Sequence, residues 1–255
     1  TGHFYDAGAS GLELSGSGTV FLEDGTFLED TSTLRYSGIA TTSILATNYY
    51  NLDLNASGGA PTYIATGIGI SVANDLFVGG EASTIVDFDA NDTVLNVDGD
   101  LIIQSNGTFI ASDSAAFTVA GSYDNNGTYT ASGGTVTFDG SGTQTVAAGS
   151  SDFATVLING TGSYTVSEHA TATDAFTLSN TSAFVLASGQ TLAVGGDFTN
   201  NVGGAATTWT GTTLSLYGGG NYLVNSSSVT EVYNNVVVGA NTDIRMWNSI
   251  ATTTT

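Results

Sequence analysis

A chain of 255 residues with 41% apolar and 10% aromatic residues has enough apolar surface for a packed core. Because it has no cysteine, disulfide frameworks, cysteine-ligated metals and thiol catalysis are excluded. Twenty-three acidic residues against two basic ones, Arg35 and Arg245, give a net charge of −21, which disfavours nucleic acids and anionic membranes as partners. No apolar stretch approaches the ~20 residues of a membrane helix, so we expect no membrane insertion by this segment.

Short strands with a period of two follow one another along the chain, and no segment has a convincing helical face. Apolar residues alternate with polar ones, as in strands that bury one face. The clearest examples are Ile68/Ile70/Val72, Val86/Phe88/Ala90, Phe117/Val119, Val136/Phe138, Val156/Ile158 and Tyr164/Val166.

The most regular stretch lies in residues 176–194, where three strands begin eight residues apart. Three such strands complete one turn of roughly 24 residues, which indicates a triangular coil. The side chains that we expect to face the core are Phe176, Leu178, Phe184, Leu186, Leu192 and Val194.

Internal repeats indicate how the coils are assembled. Residues 24–38 align without gaps with residues 126–140, and the end of this module recurs at residues 213–218. The first two copies are 102 residues apart, and the third copy begins 78 residues after the matching part of the second. These two offsets divide into roughly five and four units of about 20 residues. We therefore predict an all-β fold, a parallel β-solenoid of roughly 10–12 coils of about 20–25 residues. It would span residues 1–247 as one domain, followed by a Thr-rich tail or linker at 248–255.

Asn-Gly pairs leave an alternative open. Asn106-Gly107, Asn126-Gly127 and Asn159-Gly160 can supply the positive φ of a solenoid corner, but also that of a two-residue hairpin. Hairpins would produce antiparallel β-sandwich modules instead of a solenoid.

The repeat style resembles that of a known group of proteins. The modules Gly-Thr-Tyr…Thr-Val-Thr-Phe-Asp-Gly-Ser-Gly-Thr-Gln-Thr-Val (127–146), Val-Leu-Ile-Asn (156–159) and Val-Gly-Gly-Asp-Phe-Thr-Asn-Asn (194–201) are similar to repeats of very large bacterial surface proteins, the filamentous-haemagglutinin-type and autotransporter-type adhesin stalks. The resemblance implies a right-handed β-helix, an extracellular location at the cell surface, and a structural or adhesive role. Implied partners are neighbouring repeats or copies of itself in a fibre, together with surface glycans.

The alternative function is a glycan-binding or polysaccharide-degrading β-helix domain. Asp87 and Asp89 lie on one strand face, and paired carboxylates are what glycoside hydrolysis requires. No basic cluster accompanies them, however, and His169 beside Glu168 is interpreted as a surface residue of a loop. We therefore expect that the chain is not an enzyme.

Calcium is the one cofactor that the residue pattern suggests. Hard cations take six to eight oxygen ligands, and four oxygen-bearing residues stand at positions 1, 3, 5 and 12 of a calcium-loop-like segment, namely Asp87, Asp89, Asn91 and Asp98. The segment departs from that pattern because Asp92 replaces the turn glycine. In the alternative interpretation Val86 and Phe88 face the core and the acids lie in water.

Seven Asn-x-Ser/Thr sequons provide candidate glycosylation sites, although many would arise by chance in a chain so rich in Asn, Ser and Thr. They are Asn55, Asn91, Asn106, Asn126, Asn159, Asn180 and Asn225.

Overall fold

A computed structural model describes residues 3–6, 11–22, 25–225, 231–240, 242–247 and 250–252. Within these residues the chain is all-β and without helix, a parallel β-solenoid of about ten turns, which confirms the predicted fold class. The described strands form stacked parallel sheets, so the antiparallel alternative is wrong. No described helix is long and apolar enough to cross a membrane.

The described strands are short, mostly of three or four residues. In chain order they are β1 His3–Asp6, β2 Leu12–Leu14, β3 Gly18–Thr19, β4 Gly25–Leu28, β5 Thr33–Tyr36, β6 Thr42–Ile44, β7 Asn48–Tyr49, β8 Asn51–Leu54, β9 Thr62–Ala65, β10 Gly69–Val72, β11 Leu76–Val78, β12 Thr84–Asp87, β13 Val94–Val97, β14 Leu101–Ile103, β15 Gly107–Ile110, β16 Phe117–Val119, β17 Tyr123–Asn125, β18 Thr128–Thr130, β19 Thr135–Phe138, β20 Thr143–Ala147, β21 Thr155–Ile158, β22 Ser163–Val166, β23 Ala170–Ala172, β24 Phe176–Leu178, β25 Ala183–Leu186, β26 Thr191–Val194, β27 Phe198–Asn200, β28 Thr207–Thr208, β29 Thr213–Leu216, β30 Gly220–Asn225, β31 Glu231–Tyr233, β32 Asn235–Val238, β33 Asp243–Trp247 and β34 Ile250–Thr252.

The chain divides into two compact units. Unit 1 comprises Thr1–Val119 and Asn125–Gly134, and unit 2 comprises Ala120–Asp124 and Thr135–Thr255. Strand β34 lies within the last eight residues and pairs with β31.

Each turn of unit 1 contributes one strand to each of three sides of the solenoid. The first sheet has the order β7-β10-β13-β16, the second β2-β5-β8-β11-β14, and the third β3-β6-β9-β12-β15-β18, while β1 pairs with β4. Among the described strands of unit 1, consecutive strands along the chain therefore do not pair with each other, and hydrogen bonds join one turn to the next.

Unit 2 repeats this arrangement, except that its first turn has strands on two sides, β19 and β20, and a single bridge from Phe153 to Ala172 on the third. Its first sheet has the order β19-β21-β24-β27-β30-β33, its second includes β20-β22-β25-β28, and its third is β23-β26-β29-β32. Strand β31 occupies the second position of its turn, but it pairs with β34 and not with β28.

The turns vary in length. Paired residues lie between 18 positions apart, as for Thr33 and Asn51, and 25 positions apart, as for Gly69 and Val94. Because the strands pair in register, alternate side chains of each strand point to the same side turn after turn. The rows of side chains that point inward form the core.

Aromatic side chains fill much of that core. In unit 1 the rings of Phe109 and Tyr129 stack with centroids 6.1 Å apart, and in unit 2 those of Phe176 and Phe198 do the same at 6.1 Å. The six inward residues predicted in the 176–194 stretch are all buried, which confirms the predicted coil.

The sequence repeat is out of phase with the turn. Residues 135–138 form β19 in the first sheet of unit 2, whereas the matching residues 213–216 form β29 in the third sheet. The interpretation of this offset as four whole units is therefore wrong. The repeated sequence therefore specifies a strand and the corner next to it, and this combination occurs on more than one side of a turn.

Candidate functional site

In unit 1, the end of β12 and the turn that follows it carry three of the four residues predicted to bind calcium. The Oδ1 atom of Asp87 accepts hydrogen bonds from the backbone N–H groups of Asp89 and Ala90, at 3.0 and 2.9 Å. This carboxylate therefore stabilises the turn itself, as aspartate side chains do in Asx turns. At Asp92 the backbone has a φ of 48°, a left-handed conformation for which aspartate is one of the better-suited residues other than glycine.

Three carboxylates converge beside this turn. Oxygen atoms of Asp89, Asp92 and Asp113 lie within 4.8 Å of one another. The backbone N–H of Asp113 donates to Asp89 Oδ1 at 2.9 Å, and Ser112 Oγ donates to Asp92 Oδ1 at 2.9 Å. Hydrogen bonds from Ser114 and Ser112 lower the pKa of the Asp92 carboxyl, so the charged form is favoured there. We name these three residues the acidic triad.

The acidic triad contains only one of the four predicted calcium ligands, Asp89. The Nδ2 of Asn91 donates to Ala65 O at 2.8 Å, and Asp98 Oδ1 accepts from Asn96 Nδ2 at 2.8 Å. Calcium ligation by the predicted set stays a prediction. The sequence interpretation missed Asp113, which stands 24 residues after Asp89, one turn further along unit 1; that spacing is the signal that could have found it.

The sequon asparagines differ in exposure. Asn55 is buried, and its Oδ1 accepts the backbone N–H of Glu81 at 2.9 Å. The Asn225 side chain lies outside the described part. The exposed members are Asn91, Asn106, Asn126, Asn159 and Asn180.

A charged cluster lies on the second sheet of unit 1. Register places Arg35 of β5 between Glu13 of β2 and Asp53 of β8. The Arg35 guanidinium lies 2.8 Å from Glu81 Oε1 and 3.7 Å from Asp53 Oδ2. Burial nevertheless raises the pKa of Asp53 to about 6, because the loss of hydration outweighs the attraction of Arg35 and the acidic neighbours Glu81 and Glu13 act in the same direction as burial.

In unit 2, His169 is exposed, and its Nδ1 accepts the backbone N–H of Thr191 at 2.9 Å. The adjacent Glu168 accepts the N–H of Gly149 at 3.0 Å. Both side chains thus make hydrogen bonds to backbone groups of neighbouring turns.

A buried carboxylate is the least expected feature of unit 2. Glu231 is 1% exposed, and its Oε2 accepts Asn200 Nδ2 at 2.5 Å and Thr207 Oγ1 at 2.6 Å. A glutamate is rarely buried unless it is paired. Among the described residues, all of its hydrogen-bond donors are neutral, including the N–H of Val232 at 3.2 Å.

A groove of about 410 Å³ opens beside this carboxylate. Trp209, 3% exposed, forms part of its wall and packs against Phe184 and Tyr233, with ring centroids 5.5 and 5.0 Å apart. The lining residues are Gly204, Thr207, Thr208, Trp209, Thr210, Glu231, Val232 and Asn234. No pattern in the sequence predicts a role for Glu231.

Comparisons with known proteins identify no relative. No family model, no curated protein and no solved structure matches this chain. What the chain does must therefore be inferred from its own residues.

Proposed function

We propose that the chain is a structural or adhesive extracellular module of a large cell-surface or fibre-forming protein, and that it is not an enzyme. The observation that carries this proposal is the stacking of repetitive turns: within each unit, hydrogen-bonded parallel strands on three sides join successive turns over a buried apolar core. Repeats of this kind gain their stability from contacts between neighbours, so a polypeptide can be extended by adding turns.

The outward rows of unit 2 support a scaffold role. Thr177 and Thr199 are neighbours across the first sheet, and Thr145 and Thr165 are neighbours across the second. Short β-branched side chains suit strands and keep the outer surface of a turn polar without bulky groups.

The last strand of the third sheet in unit 2 supports contact with another set of turns. The inward residues Leu214 and Leu216 of β29 are fully buried, but their register partners in β32 are Val236, partly exposed, and Val238, 52% exposed. Among the described residues, no strand follows β32 in this sheet. An added strand, from neighbouring repeats or from a second copy, would cover this row and pair its edge.

Sedimentation velocity over a wide concentration range tests the contact between copies. We expect wild-type protein to associate reversibly. Val238→Asp should weaken the association, because it would place a charge among the β32 valines that the contact covers. Thr173→Asp, at an exposed position of the same unit, adds the same charge elsewhere and should associate like wild type. Strictly monomeric wild-type protein at all concentrations would contradict self-association.

Immunolabelling of intact and permeabilised cells of the source organism tests the location. We expect antibodies raised against this chain to label intact cells. Labelling that requires permeabilisation would contradict an extracellular role.

A further inference from the structure

We propose that the groove between β28 and β31 in unit 2 binds a neutral saccharide. A structural role requires no ligand, so this inference goes beyond it; it also gives the adhesive role a class of ligand, and it depends only on the groove. The site is built from two successive turns, because Thr207 and Glu231 are separated by 24 residues and occupy the same side of their turns.

The groove exists because a sheet is interrupted. Strand β28 pairs with β25 of the preceding turn, through Phe184 and Thr207, but among the described residues β31 of the following turn pairs with β34 and not with β28. The N–H of Phe184 donates to Ala206 O. Because successive residues of a strand direct their peptide groups to opposite edges, the N–H and C=O of Thr207 face the groove side. A backbone donor and a backbone acceptor therefore border the groove.

The side chains add a mixed set of donors and acceptors. Glu231 contributes carboxylate oxygens, and Thr208 and Thr210 contribute exposed hydroxyl groups. The indole Nε1–H of Trp209 is buried and has no acceptor among the described residues. A buried donor without a partner is unfavourable, so an oxygen atom that reaches it would be held.

A saccharide hydroxyl both donates and accepts, and so satisfies such a set with one chemical group. An anion would be repelled by Glu231 and by the net charge of −21. A metal cation would find acceptors there, but it would leave the N–H of Thr207 without a partner. The carboxylate and the donors together therefore favour a neutral ligand rich in hydroxyl groups.

An extended peptide is the other occupant that a free strand edge invites. The hydrogen bond of 2.6 Å between Thr207 Oγ1 and Glu231 Oε2 already bridges the two turns, and an inserted strand would have to break it. The volume of about 410 Å³ lies within the range of small-ligand sites, roughly 300–1,000 Å³.

The test is saturation-transfer NMR and calorimetry of the full chain with maltose, cellobiose, lactose and chitobiose. We expect at least one of these disaccharides to bind. Glu231→Gln, which keeps the shape of the side chain, and Trp209→Phe, which keeps a ring but removes the N–H, should each weaken that binding about tenfold or more, the effect expected when a buried hydrogen-bond partner is lost.

Thr165→Val, on the outer face of β22 away from the groove, is the matched control and should bind like wild type. Thr210→Val changes only an exposed residue of the groove wall, so it tests the site even if the two core variants fail to fold. The proposal is overturned if none of the four disaccharides binds. It is equally overturned if the groove variants bind as wild type does, or if the groove responds instead to calcium chloride or to an extended peptide.

Discussion

Replacing Asp53 by asparagine should make unit 1 more stable relative to wild type as the pH rises. The Asp53 side chain is 20% exposed, and burial raises its pKa from 3.8 to about 6 in the folded chain, despite Arg35 at 3.7 Å. A raised folded-state pKa means that the folded chain favours the protonated acid. Stability from this group is thus greatest below the unfolded pKa and is lost as the pH rises through about 6.

The magnitude follows from the shift. Two pKa units correspond to about 3 kcal/mol, and because a fifth of the side chain stays in contact with water, we reduce this to about 2 kcal/mol. Urea denaturation of wild type and Asp53→Asn from about pH 4 to about pH 7 measures the difference directly. The difference should grow with pH in favour of the variant.

Asp98→Asn is the matched control, because it removes one carboxylate from an exposed position of the same unit. Subtracting its effect removes the contribution of net charge. A flat difference curve would show that the attraction of Arg35 cancels the effect of burial, and a curve that slopes in favour of wild type as the pH rises would show that it outweighs burial; either would refute the reasoning.

Three further predictions concern stability. Phe184→Ala should destabilise the chain by about 3–5 kcal/mol in urea denaturation, because the ring is fully buried; a loss well below about 1 kcal/mol would contradict its place in the core. Gly195→Ala should cost about 1–3 kcal/mol, since its Cβ would overlap the backbone carbonyl of Thr173, whereas Gly219→Ala, with open space around it, should cost far less; equal losses would contradict the packing. Calcium should raise the melting temperature at constant ionic strength, and Asp113→Asn should reduce the increase; a melt indifferent to both calcium and chelator would reject cation binding at the acidic triad.

The fold could be predicted because a strand with one buried face has an apolar residue at every second position of its sequence. Phe184 and Leu186 alternate with polar or smaller residues, and they lie inward as expected. The number of turns between two repeats was harder to predict. Turn length varies from 18 to 25 residues, so dividing a sequence offset by an average turn length gives the wrong number of turns.

The sites were less predictable, because their residues meet across turns. Glu231 contacts Asn200 and Thr207, which precede it by 31 and 24 residues, and no local pattern marks the three as partners. Local alternation in β31 is also misleading: Glu231 and Tyr233 face inward, while the apolar Val232 is exposed. Asp113 joins Asp89 for the same reason, through the length of one turn.

Disulfide trapping tests the stacked parallel turns most directly, because the chain has no cysteine of its own. Thr177 and Thr199 are register partners on adjacent strands of the first sheet in unit 2, whereas Thr165 lies on the second sheet although it is closer to Thr177 in sequence. Cα atoms of a disulfide lie about 4.4–6.8 Å apart, a range that includes the spacing of neighbouring strands. The double variant Thr177→Cys/Thr199→Cys should therefore oxidise readily within one chain, and Thr165→Cys/Thr177→Cys should not. Efficient cross-linking of the second pair but not of the first would contradict the parallel solenoid.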